Sequence, residues 1–160
     1  MKTLHRLNCD ERVYRYLLGR PITREESEAQ LERYRRHWEE HDFGLWSLEE
    51  KAGGRLVGGA GLSYHRLWRS DPELGWMLDP DVWGRGYATE AGAAALRHGF
   101  EELGFDRVVS IIHPENEPSF RVARRLAIAS WREVAWDDTG ITLQVYAVRR
   151  SEWSRLQSPG

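Results

Sequence analysis

The chain has 160 residues with 23 basic and 25 acidic side chains, so its formal net charge is −2 and broad nucleic-acid binding is not expected. One domain with a single continuous core fits this length, and no stretch approaches the roughly 18 consecutive apolar residues of a membrane span. Met1-Lys2-Thr3-Leu4-His5-Arg6 lacks the apolar run of a secretory leader, which points to the cytoplasm. Cys9 is the sole cysteine, so neither an internal disulfide framework nor a cysteine-rich zinc site is open.

Taken in chain order, residues 10–18 have helical apolar spacing that ends at Gly19-Arg20-Pro21. Thr23-Arg24-Glu25-Glu26 reads as a capping box opening a second helix that carries Ala29, Leu31, Tyr34 and Trp38 and stops near Asp42-Phe43-Gly44. Strands are expected at 43–48, 56–64 and 73–78, the first two joined by a turn at Lys51-Ala52-Gly53-Gly54. A long helix at 88–103, a short apolar strand at 107–112 and a helix at 116–127 follow. The chain then forms strands at 131–136 and 141–148 around an Asp137-Asp138-Thr139-Gly140 turn. This order describes an α+β domain built around one sheet, with no repeat and no linker; residues 157–160 read as a frayed tail.

The chemistry concentrates where the strand ending at Leu78 runs through Asp79-Pro80-Asp81-Val82 into Trp83-Gly84-Arg85-Gly86-Tyr87-Ala88. A helix start leaves backbone N–H groups unpaired and carries the positive end of the helix dipole. Glycines let those groups converge on an anion, and Thr89 adds a hydroxyl in the first turn. The spacing is neither that of a dinucleotide-binding glycine fingerprint nor that of a P-loop.

With Glu73-Leu74-Gly75-Trp76 before it, and Thr89-Glu90-Ala91 and Asn116-x-x-Ser119 after it, the turn resembles the acetyl-CoA signature of the Gcn5-related N-acetyltransferase (GNAT) superfamily. Trp83 at its first position is similar to the RimJ/RimL-like, ribosomal-protein acetyltransferase branch. The resemblance spans roughly residues 11–153. It implies the GNAT fold, a mostly antiparallel central sheet with helices on both faces, as a single domain over 1–160 with its motifs within 73–128. The superfamily's first N-terminal strand has no counterpart in this chain. The resemblance also implies acetyl-CoA as co-substrate. Arg85, Gly86, Tyr87, Ala88 and Thr89 would hold its pyrophosphate, and the strand ending at Met77 and Leu78 would splay from the one starting at Arg107 to receive the pantetheine arm. The expected reaction is acetyl transfer to a primary amine, a protein N-terminus or a small molecule, by direct attack in a ternary complex. The protein would act as a monomer or homodimer and need no metal.

Amine acylation needs a base for the amine and an acid for the thiolate. The tyrosine that many members use as acid is Ala123 here, and Ser119 is the substitute that the branch suggests. Asn116 would anchor pantetheine or simply cap the helix. Glu73, on the strand face of Gly75 and Met77, is the base candidate if apolar walls raise its pKa; His113 is a weaker one. Arg121, Arg124 and Arg125 form a helical stripe open either to the CoA 3′-phosphate or to solvent. Trp38, Trp46, Tyr64 and Trp68 are candidate acceptor-site residues. Two other readings stand beside this one. A non-catalytic acyl-CoA sensor would keep the turn and lose the chemistry. A zinc hydrolase would use His37 and His41 of His37-Trp38-Glu39-Glu40-His41, which match an inverted zinc-peptidase string.

Overall fold

The computed structural model describes residues 1–157, so Ser158, Pro159 and Gly160 of the expected tail lie outside it, while Gln157 closes the last helix. Helix α1 (Lys2–Asn8) and the single turn α2 (Glu11–Tyr14) precede the long helix α3 (Arg24–His41). Strands β1 (Leu45–Glu49), β2 (Leu56–His65) and β3 (Trp68–Leu78) form a meander. Helix α4 (Tyr87–Arg97) runs on into a π-helical turn, His98–Glu102. Then come β4 (Arg107–Ile112), α5 (Glu117–Arg125), β5 (Ala129–Ala135), β6 (Thr142–Arg149) and α6 (Arg150–Gln157). The six strands make one sheet in the order β1-β2-β3-β4-β6-β5, antiparallel except where β3 meets β4.

Strand parity separates the two faces of this sheet. Leu62, Leu74, Val108, Ile112 and Val148 enter the main core with Ala95, Leu96 and Phe100 of the α4 region and with Ala123 and Leu126 of the α5 region. The helix lies close to the sheet because Gly92 and Gly99 leave room there: a Cβ would come within 2.6 Å of Leu126 at Gly92 and within 2.7 Å of Leu62 at Gly99. Helix α1 packs on β2 and α3. Thr23 caps α3 in the expected reciprocal box with Glu26.

Several expectations are corrected. The helix expected at 10–18 is one turn: Asp10 caps Arg12, the α-helix ends at Tyr14, and Leu17 and Gly19 fold their N–H groups back onto the Tyr14 carbonyl. Helices α1 and α6 were not foreseen. Each is short, and each is held by tertiary burial, of Leu7 and Trp153 respectively. Strand β3 begins at Trp68 and runs through Pro72; opposite it the β2 register slips between Ser63 and His65. Among the described residues no strand precedes α1. One edge of the sheet is therefore β1, where the Trp38 indole N–H donates to the Leu45 carbonyl at 3.0 Å. Helix α5 ends without glycine: Ala127 takes the left-handed conformation (φ 55°), letting Ile128 N–H reach the Ala123 carbonyl.

Candidate active site

The parallel strands β3 and β4 touch in register at only one pair, Glu73 and Val109. Below that rung they are clamped by Arg107, whose Nε and Nη2 donate to the two Asp71 oxygens at 3.0 Å each. At and above the rung, side chains occupy the groups a ladder would use. Ser110 Oγ donates to the Leu74 carbonyl at 2.8 Å, and Ile111 N–H donates to Glu73 Oε1 at 3.3 Å. From Gly75 to Leu78, β3 has no β4 partner in register, so the two strands open as a fork toward their C-terminal ends. The Glu73 carboxyl sits at the base of the fork. Burial pushes its pKa up to about 7 against the opposing pull of the Ile111 N–H.

A cleft extends from this fork to the start of α4. Trp76, Met77 and Leu78 line one wall, Gly86, Tyr87, Ala88 and Thr89 the end at the start of α4, and Asn116 and Ser119 the α5 side, while Val13, Tyr16 and Leu17 complete the lining. Gly84 and Gly86 have φ of 79° and 84°, conformations that side chains resist, and a Cβ at either would meet nothing within 4 Å. Among the described residues the α4 N-terminus has no side-chain cap, and the buried Thr89 Oγ1 has no hydrogen-bond partner. Open space, uncapped helix amides and an orphan hydroxyl at one spot are the features a pyrophosphate would complete. The Trp83 indole N–H ties the turn to the Leu78 carbonyl at 2.9 Å. Arg85 lies outside the cleft lining; its guanidinium and the Tyr87 hydroxyl both meet Glu50 Oε1. Ser119 Oγ accepts the Trp76 indole N–H at 3.2 Å, which leaves its own hydrogen free to donate into the cleft. The Asn116 side chain accepts from Ser119 N–H and so caps α5, keeping its amide hydrogens available.

Residues 1–128 match the family model described as an acetyltransferase (GNAT) domain. The chain belongs to the GNAT acetyltransferase family. An uncharacterised N-acetyltransferase of Bacillus subtilis, YnaD, is 30% identical over 95 residues, 51% of each chain. FsC-acetyl coenzyme A-N(2)-transacetylase of Aspergillus fumigatus is 30% identical over 101 residues, 59% of this chain and 43% of that protein. The chain thus spans about half the length of the curated relatives it matches. In fold, it superposes on an acetyltransferase of Agrobacterium tumefaciens with a TM-score of 0.80 at 24% identity, covering 92% of this chain and 84% of that one. Spermidine N-acetyltransferase of Vibrio cholerae, solved with CoA and spermine, gives 0.75 at 16% identity, covering 96% and 91%. The six-stranded mixed sheet with its helices is the GNAT fold, and GNAT enzymes use acetyl-CoA.

The structure of this GNAT domain does not gather the four aromatic residues expected around an acceptor. Trp46 is in register with Ala60 and, through it, Trp76, packs on the core and meets His98. Trp68 donates to Asp71 and stacks on Trp131, reinforcing the closed end of the fork. Tyr64 packs among His37, His41 and Phe43, and Trp38 caps β1. None of the four lines the cleft. For His37 the geometry speaks against zinc: Nδ1–H donates to the Phe43 carbonyl at 2.8 Å and Nε2 accepts Tyr64 N–H at 3.0 Å, so both ring nitrogens are committed. His113 stands at the outer end of β4 between the Tyr16 and Trp136 rings. Of the α5 arginines, Arg121 and Arg125 reach the cleft, while Arg124 at 3.2 Å and Arg121 at 3.7 Å pair with Glu117.

Some contributors escaped the sequence reading. Ser110 is the one polar residue in Val108-Val109-Ser110-Ile111-Ile112, a visible signal with no visible partner. Asp79 is completely buried between Arg6 at 2.6 Å and Arg55 at 2.5 Å while accepting Asp81 N–H. It fixes the loop into the glycine turn and ties that loop to α1. The segment after α2 closes the cleft through Tyr16 and Leu17, which periodicity alone assigned to a helix face.

Proposed function

We propose that this chain is an acetyl-CoA-dependent N-acetyltransferase that acylates a primary amine in a ternary complex, the amine belonging to a protein N-terminus or a small molecule. The observation that carries this reading is the fork itself. Its base holds the Glu73 carboxyl, whose pKa burial pushes up to about 7, while its open β3 edge and the Ser119 hydroxyl line a cleft that ends at uncapped helix amides; Glu73 itself does not line that cleft. The amides of residues 86–89, with Thr89 Oγ1, hold the CoA pyrophosphate. Met77 and Leu78 border the pantetheine arm, and Asn116 anchors it with its amide hydrogens. Arg85 acts through its backbone, its side chain being engaged by Glu50.

Glu73 takes the ammonium proton, through water, so that a neutral amine attacks the thioester carbon. The C–N bond forms as the C–S bond breaks; the departing thiolate takes the Ser119 hydroxyl proton, and the surplus proton of the acylated nitrogen returns through water to the Ser119 oxygen, leaving a neutral amide and the CoA thiol. A carboxyl with a pKa near 7 is half ionised at neutral pH and matched to this task. The indole N–H donated to Ser119 polarises its hydroxyl in the useful sense. Trp83 and the Asn116-to-Ser119 spacing favour the RimJ/RimL-like branch, and we place the protein in the cytoplasm. No helix among the described residues is long and apolar enough to cross a membrane.

The test is thiol release from acetyl-CoA across a panel of amines and N-terminal peptides, with CoA affinity measured in parallel. Amine-dependent release with at least one acceptor class is expected. Tight CoA binding with no turnover on the whole panel would instead support the sensor of the same fold.

A further inference from the structure

The stripe of α3 that faces inward is polar. Ser27, Gln30, Tyr34 and His37 recur at steps of three and four residues on one helix side, where a surface helix normally places its apolar residues. Polar groups turned inward are costly unless bonded, and both ends of this stripe are bonded. At the C-terminal end, His37 bridges the Phe43 carbonyl and Tyr64 N–H. At the N-terminal end every hydrogen-bond direction can be assigned. Ser27 spends its only hydrogen on the Thr23 carbonyl, so it accepts from Asn8 Nδ2 and from His5 Nδ1. The second hydrogen of Asn8 Nδ2 goes to Gln30 Oε1 at 2.7 Å, and Gln30 Nε2 then donates to the Tyr34 hydroxyl at 2.8 Å. The chain of donors ends on Tyr34, whose own hydrogen has no acceptor among the described residues.

Register shows where that hydrogen can go. His37 is bonded to Tyr64 in β2, and the neighbouring Ser63 is paired with Glu73 in β3. One helical turn back along the same stripe, about 5–6 Å from His37, Tyr34 lies near enough to this rung to feel the Glu73 charge. Glu73 points to that side, opposite Leu74. We propose that Tyr34 is a positioning residue of the acceptor site, its hydroxyl held as a donor by Gln30 and directed, through one water, at the Glu73 carboxylate. This rests on Glu73 as the base and assigns the polar stripe of α3 its purpose: it orients a second donor, beside the Ile111 N–H, that helps keep the base ionised.

The electrostatic coupling agrees with this placement: burial is the main cause that raises the Tyr34 pKa, the Gln30 amide and Arg33 oppose it, and the Glu73 charge adds a smaller push upward. Around the fork, the other groups on this side are Ser63 of β2, the Ile111 amide and His113 beyond β4. A donor to a carboxylate lowers its pKa, so removing the hydroxyl raises it.

The experiment follows the Glu73 carboxyl carbon by NMR titration in 13C-glutamate-labelled protein, assigned with Glu73→Gln. Tyr34→Phe should move the Glu73 midpoint up by about 0.5–1 pH unit. Gln30→Leu, which keeps the hydroxyl but frees it, should move the midpoint the same way by less, and it stands in should Tyr34→Phe fail to fold. With an acceptor in hand, kcat/KM of Tyr34→Phe should be about three- to tenfold low at pH 6.5 and converge on wild type by pH 9. An unchanged midpoint overturns the proposal, as does a uniform loss of kcat/KM at all pH values. The titration needs no turnover, so a protein that acetylates nothing would count against the proposed function and leave this inference standing.

Discussion

At the scale of single residues, Glu73 is a carboxyl that folding keeps neutral up to about pH 7. If its ionised form is the base, kcat/KM should rise with pH through about 7, and Glu73→Gln should lower kcat by at least about 100-fold while acetyl-CoA affinity holds. The same shift has a sign for stability. A carboxyl whose folded pKa is raised above its unfolded value is fully accommodated below about pH 4.5 and loses stability as pH rises through 7. Glu73→Gln should therefore leave stability unchanged near pH 4.5 and increase it by on the order of 1–3 kcal/mol at pH 8, read from urea unfolding at both pH values. A variant that is less stable at pH 8 would show that the carboxylate supports the fold rather than straining it. Ser119→Ala should lower kcat and spare CoA binding; unchanged turnover would remove it as the acid.

At the scale of elements, the two helix ends beside the cleft behave differently. The start of α4 keeps glycines because its backbone is left-handed and the space above it is open, so Gly86→Glu should abolish CoA binding by filling that space with a like charge; calorimetry decides it. The end of α5 has dispensed with glycine and holds Ala127 at positive φ. That strain is local, so Ala127→Gly should raise stability by about 0.5–1 kcal/mol with no effect on CoA affinity. A loss of stability in chemical denaturation would mean that the Ala127 methyl packs more than the strain costs. The polar inner stripe of α3 is the third element-scale feature, and the sequence concealed it. Leu31 and Trp38 suggested an apolar face, whereas the bonds that satisfy Ser27, Gln30 and His37 reach to α1, the α3–β1 loop and β2.

At the scale of the whole molecule, Asp79 joins parts of the chain that are remote in sequence: α1 through Arg6, the start of β2 through Arg55, and the loop into the glycine turn. Its two arginines hold its pKa down at about 2 against burial. A depressed carboxylate contributes stability that is present above its unfolded value near 4 and is lost as pH falls through about 2. Asp79→Ala should cost about 2–3 kcal/mol at pH 7, moderated because both arginines are half exposed and can rehydrate, and the deficit should shrink below pH 4 in acid unfolding curves. The sequence by itself determined the order of most elements, the glycine turn at the start of α4, the family, and Glu73 and Ser119 as the groups to examine. The elements and the turn follow from local periodicity and turn chemistry, the family and Ser119 from the resemblance carried by one contiguous motif region. Only the tertiary structure decided that Ser110 and Ile111 end the β3–β4 ladder, that Tyr16 and Leu17 close the cleft, and that Trp38, Trp46, Tyr64 and Trp68 are held away from it. It also decided that His37 is clipped between two backbone groups and that the Tyr34 hydroxyl is held by the Gln30 amide. In each case the partner lies far along the chain or across a strand, and side-chain direction is set by register and packing, which no local pattern contains.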